Sequence, residues 1–223
     1  MERHFEKELD DLRGNLSAMG SLVDAQLETA CEALFGGRTE LAAEVIRKDV
    51  EVDEFDVRID RQCQQILALS QPVAIDLRLL MAGLQINGQL ERIGDIAVNI
   101  AERARLLAAF GPLLSMTRLE EMAQIARIMV RDSLESFMQA DAERASRVLA
   151  TDDVVDNLGH EVFSQLVAAM REDHGLIEPA AHMLILIHHI ERMADHATNI
   201  AEDVIFLVEA RMVKHSTNSL AEE

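Results

Sequence analysis

The chain has 223 residues, 49% of them hydrophobic, which is enough for one large core or for two cores of about 100 residues each. It carries 40 acidic against 21 basic residues, a formal net charge of -19, and it lacks Trp and Tyr altogether. Such a surface repels a phosphate backbone and offers only seven Phe for base stacking, so the composition excludes direct nucleic-acid binding and suits metal cations or a basic protein patch.

The predicted elements are all helices. Apolar residues recur with the helical period of about 3.6 along almost the whole chain, without strand-like alternation between turn residues. Gly36-Gly37 is predicted to end the first helix, Pro72 to open the third, Gly111-Pro112 to divide the chain and Pro179 to begin the sixth. The predicted helices span residues 3–35, 39–69, 73–109, 118–139, 142–171 and 177–213.

The chain contains an internal duplication. Leu90–Glu102 and Ile190–Glu202 are copies of one polar pattern, set 100 positions apart. The second helices of the two halves match at an offset of 103, where Ile46, Asp49, Asp53 and Phe55 align with Leu149, Asp152, Asp156 and Leu158. We therefore predict an all-α protein of two tandem three-helix bundles, residues 1–111 and 112–223, with Thr117 and Glu120 as a capping box at the start of the second.

Each copy of the pattern lines oxygen-bearing side chains along one side of a helix. Three acidic residues and one Asn fall within an arc of about 80° in each copy. They are Glu91, Asp95, Asn99 and Glu102 in the first copy, and Glu191, Asp195, Asn199 and Glu202 in the second. Because Ile93, Ile96 and Ile100 project from roughly the opposite side, we expect this stripe at a bundle surface or in a groove.

Carboxylates from two helices of each half are predicted to come level. In an antiparallel helical hairpin, residues equidistant from the turn lie side by side. In the first half, the pair Asp49 and Asp53 lies as far before Pro72 as the pair Glu91 and Asp95 lies after it. In the second half, the pairs Asp152 and Asp156, and Glu191 and Asp195, are equally far from the turn at 172–175. Four carboxylates should therefore meet in each half. The two sets are Asp49, Asp53, Glu91 and Asp95, and Asp152, Asp156, Glu191 and Asp195.

Two interpretations of these carboxylates stay open. Four converging carboxylates repel one another, which raises some pKa values or demands hard cations such as Mg²⁺, Mn²⁺ or iron. The alternative is a solvated acidic face in which Arg92 and Arg192 pair with nearby carboxylates. His188 lies one turn before Glu191 and is either an added ligand or a packed, partly exposed side chain; its first-half counterpart is Gly88.

Motifs of catalysis are absent from the sequence. The chain has no nucleophile elbow, no glycine-rich phosphate loop, no paired Cys and His ligands and no Glu-x-x-His element, so we predict no enzymatic activity. Cys31 and Cys63 stand alone in helical segments, which is typical of reduced, packed thiols. The charged start and the absence of an uncharged apolar run of about 18 residues predict a cytoplasmic protein without a membrane span.

These features, together with Phe5–Leu9, Met19-Gly20 and the run Gln71–Arg78, resemble the PhoU family of phosphate-signalling regulators over nearly the whole chain. The resemblance implies two three-helix bundles related by a pseudo-twofold axis, each binding metal through the four carboxylates of its half. Asn99, Asn199, Glu102 and Glu202 are lesser candidates. The identity of the metal stays open among Mg²⁺, Mn²⁺, Fe and Zn²⁺. Because Arg171–Gly175 does not copy the Gln71–Arg78 run, the two sites need not be equivalent.

The resemblance also implies a function without a reaction of its own. Proteins of this kind restrain the phosphate-starvation response by linking a phosphate ABC transporter and its ATPase to a sensor histidine kinase, and they form homodimers or higher oligomers. We therefore expect a negative regulator of phosphate uptake that acts as a metal-binding adaptor. The alternative from another class is a metal-dependent enzyme or a metal-storage bundle built on the same carboxylates.

Overall fold

The computed structural model describes residues 2–211 and 213, and for residues 2–4 the backbone alone. The described chain is helical without any strand, as predicted, and none of its helices is both long enough and apolar enough to cross a membrane. The elements are α1 Glu2–Phe35, α2 Thr39–Ser70, α3 Ala74–Leu107, α4 Gly111–Ser115, α5 Leu119–Gln139, α6 Ala142–Glu172, the 3₁₀ turn His174–Leu176 and α7 Ile177–Glu209.

The long helices form the two predicted three-helix bundles. Helices α1, α2 and α3 pack against one another, and so do α5, α6 and α7. The bundles join mainly through α3 against α7, with a smaller contact of α1 against α5. The division between residues 111 and 112 stays a prediction, and residues 214–223 of the proposed second unit lie outside the described residues.

The predicted dividing point, Gly111-Pro112, begins the short helix α4, because Pro is compatible with a first helical turn. Two local predictions are wrong. The capping box does not form, since Arg118 is the N-cap of α5 and the hydroxyl of Thr117 donates to the carbonyl oxygen of Leu114. Helix α7 ends at Glu209 because Ala210 turns left-handed at φ 55°; of the further predicted positions, Met212 is outside the described residues.

The core-facing stripe of α2 is interrupted by acidic residues. Its buried positions follow an alternating spacing of three and four residues, and they are Ala42, Val45, Val52, Ile59, Cys63 and Ile66. The same spacing places Asp49 and Asp56 at the two remaining core positions, where neither side chain is fully exposed. Helix α2 therefore holds carboxylates where an ordinary bundle would hold aliphatic side chains.

Helix α6 repeats this arrangement with one change. Its buried stripe comprises Ala145, Val148, Val155, Val162, Leu166 and Ala169. The interrupted positions are Asp152, the counterpart of Asp49, and buried Gly159, the counterpart of Asp56. The two halves thus share one core-facing carboxylate and differ at the other.

Both cysteines are free thiols packed among the helices. Burial raises the pKa of Cys31 to about 11 and that of Cys63 to about 12. Neither thiol is therefore a reactive thiolate near neutral pH, in agreement with the packed thiols predicted.

The contact of α1 with α5 gives a matched test of the packing between the bundles. A Cβ at Gly20 would lie 3.0 Å from Cδ1 of Leu134, whereas a Cβ at Gly14 in the same helix would meet no atom within 4 Å. We expect Gly20→Val to lower the free energy of unfolding by about 1–3 kcal/mol through overpacking. Gly14→Val should change it by only a few tenths of a kcal/mol, in the stabilising direction. Urea unfolding of both variants measures the difference, and equal effects would contradict this packing.

Candidate metal centres

The first acidic cluster, defined as Asp49, Asp53, Glu91 and Asp95, is drawn from α2 and α3. Burial, followed by the charges of Asp53 and Asp95, raises the pKa of Asp49. Burial, followed chiefly by the charge of Asp95, also raises the pKa of Glu91, to which Asp53 and Asp56 contribute. Carboxylates of the two helices therefore lie close enough to disfavour each other's charge.

The second acidic cluster is defined as Asp152 and Asp156 of α6 together with Glu191 and Asp195 of α7. Burial, then Asp156 and Asp195, raises the pKa of Asp152 to about 6. Burial is also the largest cause of the raised pKa values of Glu191 and Asp195, and the charge of Asp156 is the next. The charges of the four predicted site residues in each half therefore interact across two helices.

A missing side chain makes room for the carboxylates in each half. A Cβ at Gly94 would lie 3.6 Å from Oδ1 of Asp49 and 3.2 Å from Cγ1 of Val52. A Cβ at Gly159 would lie only 2.6 Å from Oε1 of Glu191. The carboxylates therefore rest against helix backbone, and the glycines lie on different helices, α3 in the first half and α6 in the second.

Arginine neutralises part of the first cluster. The Arg92 guanidinium lies 3.3 Å from Oε2 of Glu91 and 3.4 Å from Oδ2 of Asp95. Among the described residues, no carboxylate pairs with Arg192 within 4 Å. Arg92 is largely exposed, so its pairs contribute little stability. The first half therefore shows one feature of the solvated-face interpretation alongside the half-buried Asp49 and Glu91.

Among the described side chains, histidines flank the second cluster and not the first. His160 and His188 line a cavity of about 390 Å³ together with Gly159 and Glu191. Both imidazoles act to lower the pKa of Glu191, against the larger effect of burial. Nδ1 of His160 lies 2.8 Å from the carbonyl oxygen of Asp156. Sequence reasoning considered His188 but missed His160, although its place one turn after Asp156 was a usable signal.

The lesser candidates have other contacts. The Asn99 amide donates to the carbonyl oxygen of Asp95, and the Asn199 amide donates to Oε1 of Gln89 on the other half. Glu102 is exposed, and Glu202 lines a different cavity. None of these four side chains is among the charges that shift the cluster carboxylates.

Asp56 and Asn87 form a polar pair that sequence reasoning missed. Burial, then the charge of Asp60, raises the pKa of Asp56, while a hydrogen bond from Asn87 opposes the rise. The Asn87 amide donates to Oδ1 of Asp56 at 2.6 Å. The regular spacing of the α2 stripe was the signal that could have identified Asp56 as a core-facing residue.

The clusters suit a hard cation but are not closed coordination shells. Within residues 2–211 and 213, no three His, Cys, Asp or Glu side chains form a group that could hold a metal ion. Asp49, Glu91, Asp152 and Glu191 are nevertheless half-buried, and burial and neighbouring carboxylates raise their pKa values. Gly94 leaves space beside Asp49, and Gly159 leaves space beside Glu191. A cation with oxygen preference would offset that repulsion, so the residue set fits such an ion.

Comparisons with known proteins agree on one family. The PhoU domain family matches residues 16–104 and again residues 119–204. A phosphate-specific transport system accessory protein PhoU homolog of Aquifex aeolicus is 43% identical over 94% of this chain and 95% of its own. The homolog of Zymomonas mobilis is 35% identical over 96% of this chain and 90% of its own.

Solved structures show the same fold. The crystal structure of PhoU from Pseudomonas aeruginosa superposes with a TM-score of 0.87 at 36% identity, covering 93% of this chain and 100% of that one. The phosphate transport system regulatory protein PhoU from Streptococcus pneumoniae gives a TM-score of 0.83 at 26% identity, over 94% of this chain and 99% of that one. The two matched segments correspond to the two bundles described above.

The raised pKa of Asp152 makes metal-free stability depend on pH. Above about pH 6 the carboxylate is charged in both states, but burial and its neighbours penalise that charge only in the folded protein. As the pH falls from about 6 toward 3.8, the folded state takes up the proton first and the penalty is lost. In chelator, Asp152→Asn should therefore raise the Tm at pH 7.5 by a few degrees, and this gain should vanish near pH 4.

Asp153→Asn is the matched control, because Asp153 is exposed at the next position of α6 and its charge is the smallest of those that raise the pKa of Asp152. It should change the Tm much less at every pH. Scanning calorimetry at several pH values measures both variants, and a gain for Asp152→Asn that does not depend on pH would contradict the assignment.

Proposed function

The chain belongs to the PhoU family, and from this membership we propose that it is a cytoplasmic negative regulator of phosphate uptake. In this proposal it is an adaptor without enzymatic activity, placed between a phosphate ABC transporter and a sensor histidine kinase. The names of its relatives support the role, since those proteins are called phosphate-specific transport system accessory protein homologs. The crystallised relative from Streptococcus pneumoniae is called a regulatory protein.

The observation that carries the proposal is the presence of an acidic cluster at matching positions of both bundles. In the first, Asp49, Asp53, Glu91 and Asp95 would hold a hard cation. The second cluster would hold another through Asp152, Asp156, Glu191 and Asp195. When bound, the ion supplies positive charge that offsets the repulsion raising the carboxylate pKa values.

Metal in these positions would tie helices together. Each cluster joins two helices of one bundle, and the third and seventh helices, which contribute to the clusters, also pack against each other between the bundles. A cation that stabilises the clusters would therefore stabilise the packing of the two bundles, and with it the arrangement of helices that a partner protein would bind. A homodimer or higher oligomer would present this arrangement once in each subunit.

Asp95→Asn tests the cation site in the first half. The substitution removes one ligand charge with little change in size, and the buried side chains Ile93, Ile96 and Ile100 keep the fold intact. We expect Mn²⁺ to raise the Tm of the wild-type protein by several degrees and to raise that of Asp95→Asn less, with lower bound metal by mass spectrometry. In chelator the variant should be slightly more stable than wild type, because repulsion on Asp49 falls.

The control for that experiment is Glu40→Gln, at an exposed position in the first turn of α2. It should respond to Mn²⁺ as the wild type does. If Asp95→Asn is at least as stable as the wild type both with and without divalent ions, the first acidic cluster is a solvated acidic face and not a cation site. Bulk iron loading or substrate turnover by the purified protein would instead favour the metal store or enzyme.

The regulatory role predicts a phenotype in the host. Deleting the gene should derepress phosphate-uptake genes in phosphate-replete medium, measured as transcript abundance. Complementation with the wild-type gene should restore repression. The variant Gly14→Val is a folded control that should restore it equally well, because a Cβ at this position would meet no atom within 4 Å. Unchanged transcript levels in the deletion strain, with or without phosphate, would contradict the proposal.

A further inference from the structure

One polar side chain interrupts the apolar stripe of α1. Gln26 lies on the same face as Val23 and Ala30 and is only 2% exposed. Neither its amide oxygen nor its amide nitrogen has a hydrogen-bond partner among the described residues. A buried amide without partners destabilises the folded protein, so an aliphatic residue would serve the core better at this position.

The side chain of Gln26 reaches the first acidic cluster. A Cβ at Gly94 would lie 3.7 Å from Oε1 of Gln26 and 3.6 Å from Oδ1 of Asp49. The amide from α1 and a carboxylate from α2 therefore meet beside the bare backbone of α3. All three helices of the first bundle contribute to this gap.

We propose that Gln26 is an additional ligand of the first cation site and binds a hard divalent cation through its amide oxygen. The inference rests on the proposed metal binding and adds a residue to it. Carboxamide oxygen is a ligand that such ions accept, and it adds no negative charge to a cluster whose carboxylates already repel one another. Binding would also give the buried amide oxygen the partner it lacks.

The second bundle has no equivalent group. Apart from Oε1 of the cluster residue Glu191 at 2.6 Å, a Cβ at Gly159 would meet only apolar atoms among its three nearest, Cε of Met122 at 3.2 Å and Cγ2 of Ile187 at 3.4 Å. The counterpart of Gly94 is Ala194, whose Cβ occupies the position left free in the first half. The neutral oxygen ligand therefore distinguishes the first site from the second.

The test uses Gln26→Met, which keeps the length of the side chain and removes its polar atoms. Both proteins compared carry Asp195→Asn, so that the second cluster is weakened and the first dominates the signal. Isothermal titration with Mn²⁺ should show at least about tenfold weaker binding for Gln26→Met, because even the outer-shell partners of metal ligands contribute about 10- to 100-fold to affinity. In chelator the Tm of Gln26→Met should equal or exceed that of its parent, because an unpartnered amide has been removed.

Gln62→Met in the same background is the matched control. The Gln62 amide donates to the carbonyl oxygen of Glu8 and accepts from Asn15, so its loss should lower the Tm without changing Mn²⁺ affinity. Unchanged Mn²⁺ affinity in Gln26→Met would overturn the inference while the cation site survives. A lower Tm for Gln26→Met in chelator would also overturn it, since the amide would then serve the metal-free fold. A parent that binds no Mn²⁺ would reject both the site and the ligand.

Discussion

The architecture depends on placing carboxylates at core-facing positions of two helices. Asp49 on α2 and Asp152 on α6 occupy steps of stripes that are otherwise aliphatic. A charge at either position loses hydration and faces other carboxylates. Folding therefore raises the pKa values of Asp49 and Asp152, and their charged forms lower the stability of the folded protein. The apolar side chains around them must supply the compensating stability, and a bound cation would relieve the same penalty. Ion binding at the two clusters would therefore be coupled to stability in each bundle.

The duplication has kept this constraint and changed its surroundings. Asp56 in the first half corresponds to Gly159 in the second, which lets Glu191 approach the helix backbone. Arg92 pairs with two carboxylates of the first cluster, and histidines line the cavity beside the second. The same acidic motif thus lies in one environment with arginine and amide groups and in another with imidazoles. Hard cations would suit the first set, whereas imidazole nitrogens would broaden the choice of metal in the second.

The seam between α3 and α7 joins the bundles, and its polar contacts break the pseudo-symmetry. His196 Nδ1 lies 2.7 Å from Oε1 of Gln89. The counterparts of these residues are Ile96 and His189, which cannot form the same bond because Ile96 has no polar atom. Nδ1 of His189 is buried and has no partner among the described residues. Burial, together with the charge of Arg103, lowers the pKa of His189, which keeps the ring neutral in this seam.

The sequence by itself determined the helices, the duplication and the two sets of carboxylates, because helical periodicity and distance from a hairpin turn depend only on spacing along the chain. Only the tertiary structure decided how deeply each carboxylate is buried and which residues of other helices reach it. Gln26, Gly94 and Gly159 acquire their roles from contacts between helices, and no local pattern encodes such contacts. The N-cap of α5 and the end of α7 likewise depended on backbone hydrogen bonds and a left-handed residue that propensity does not specify.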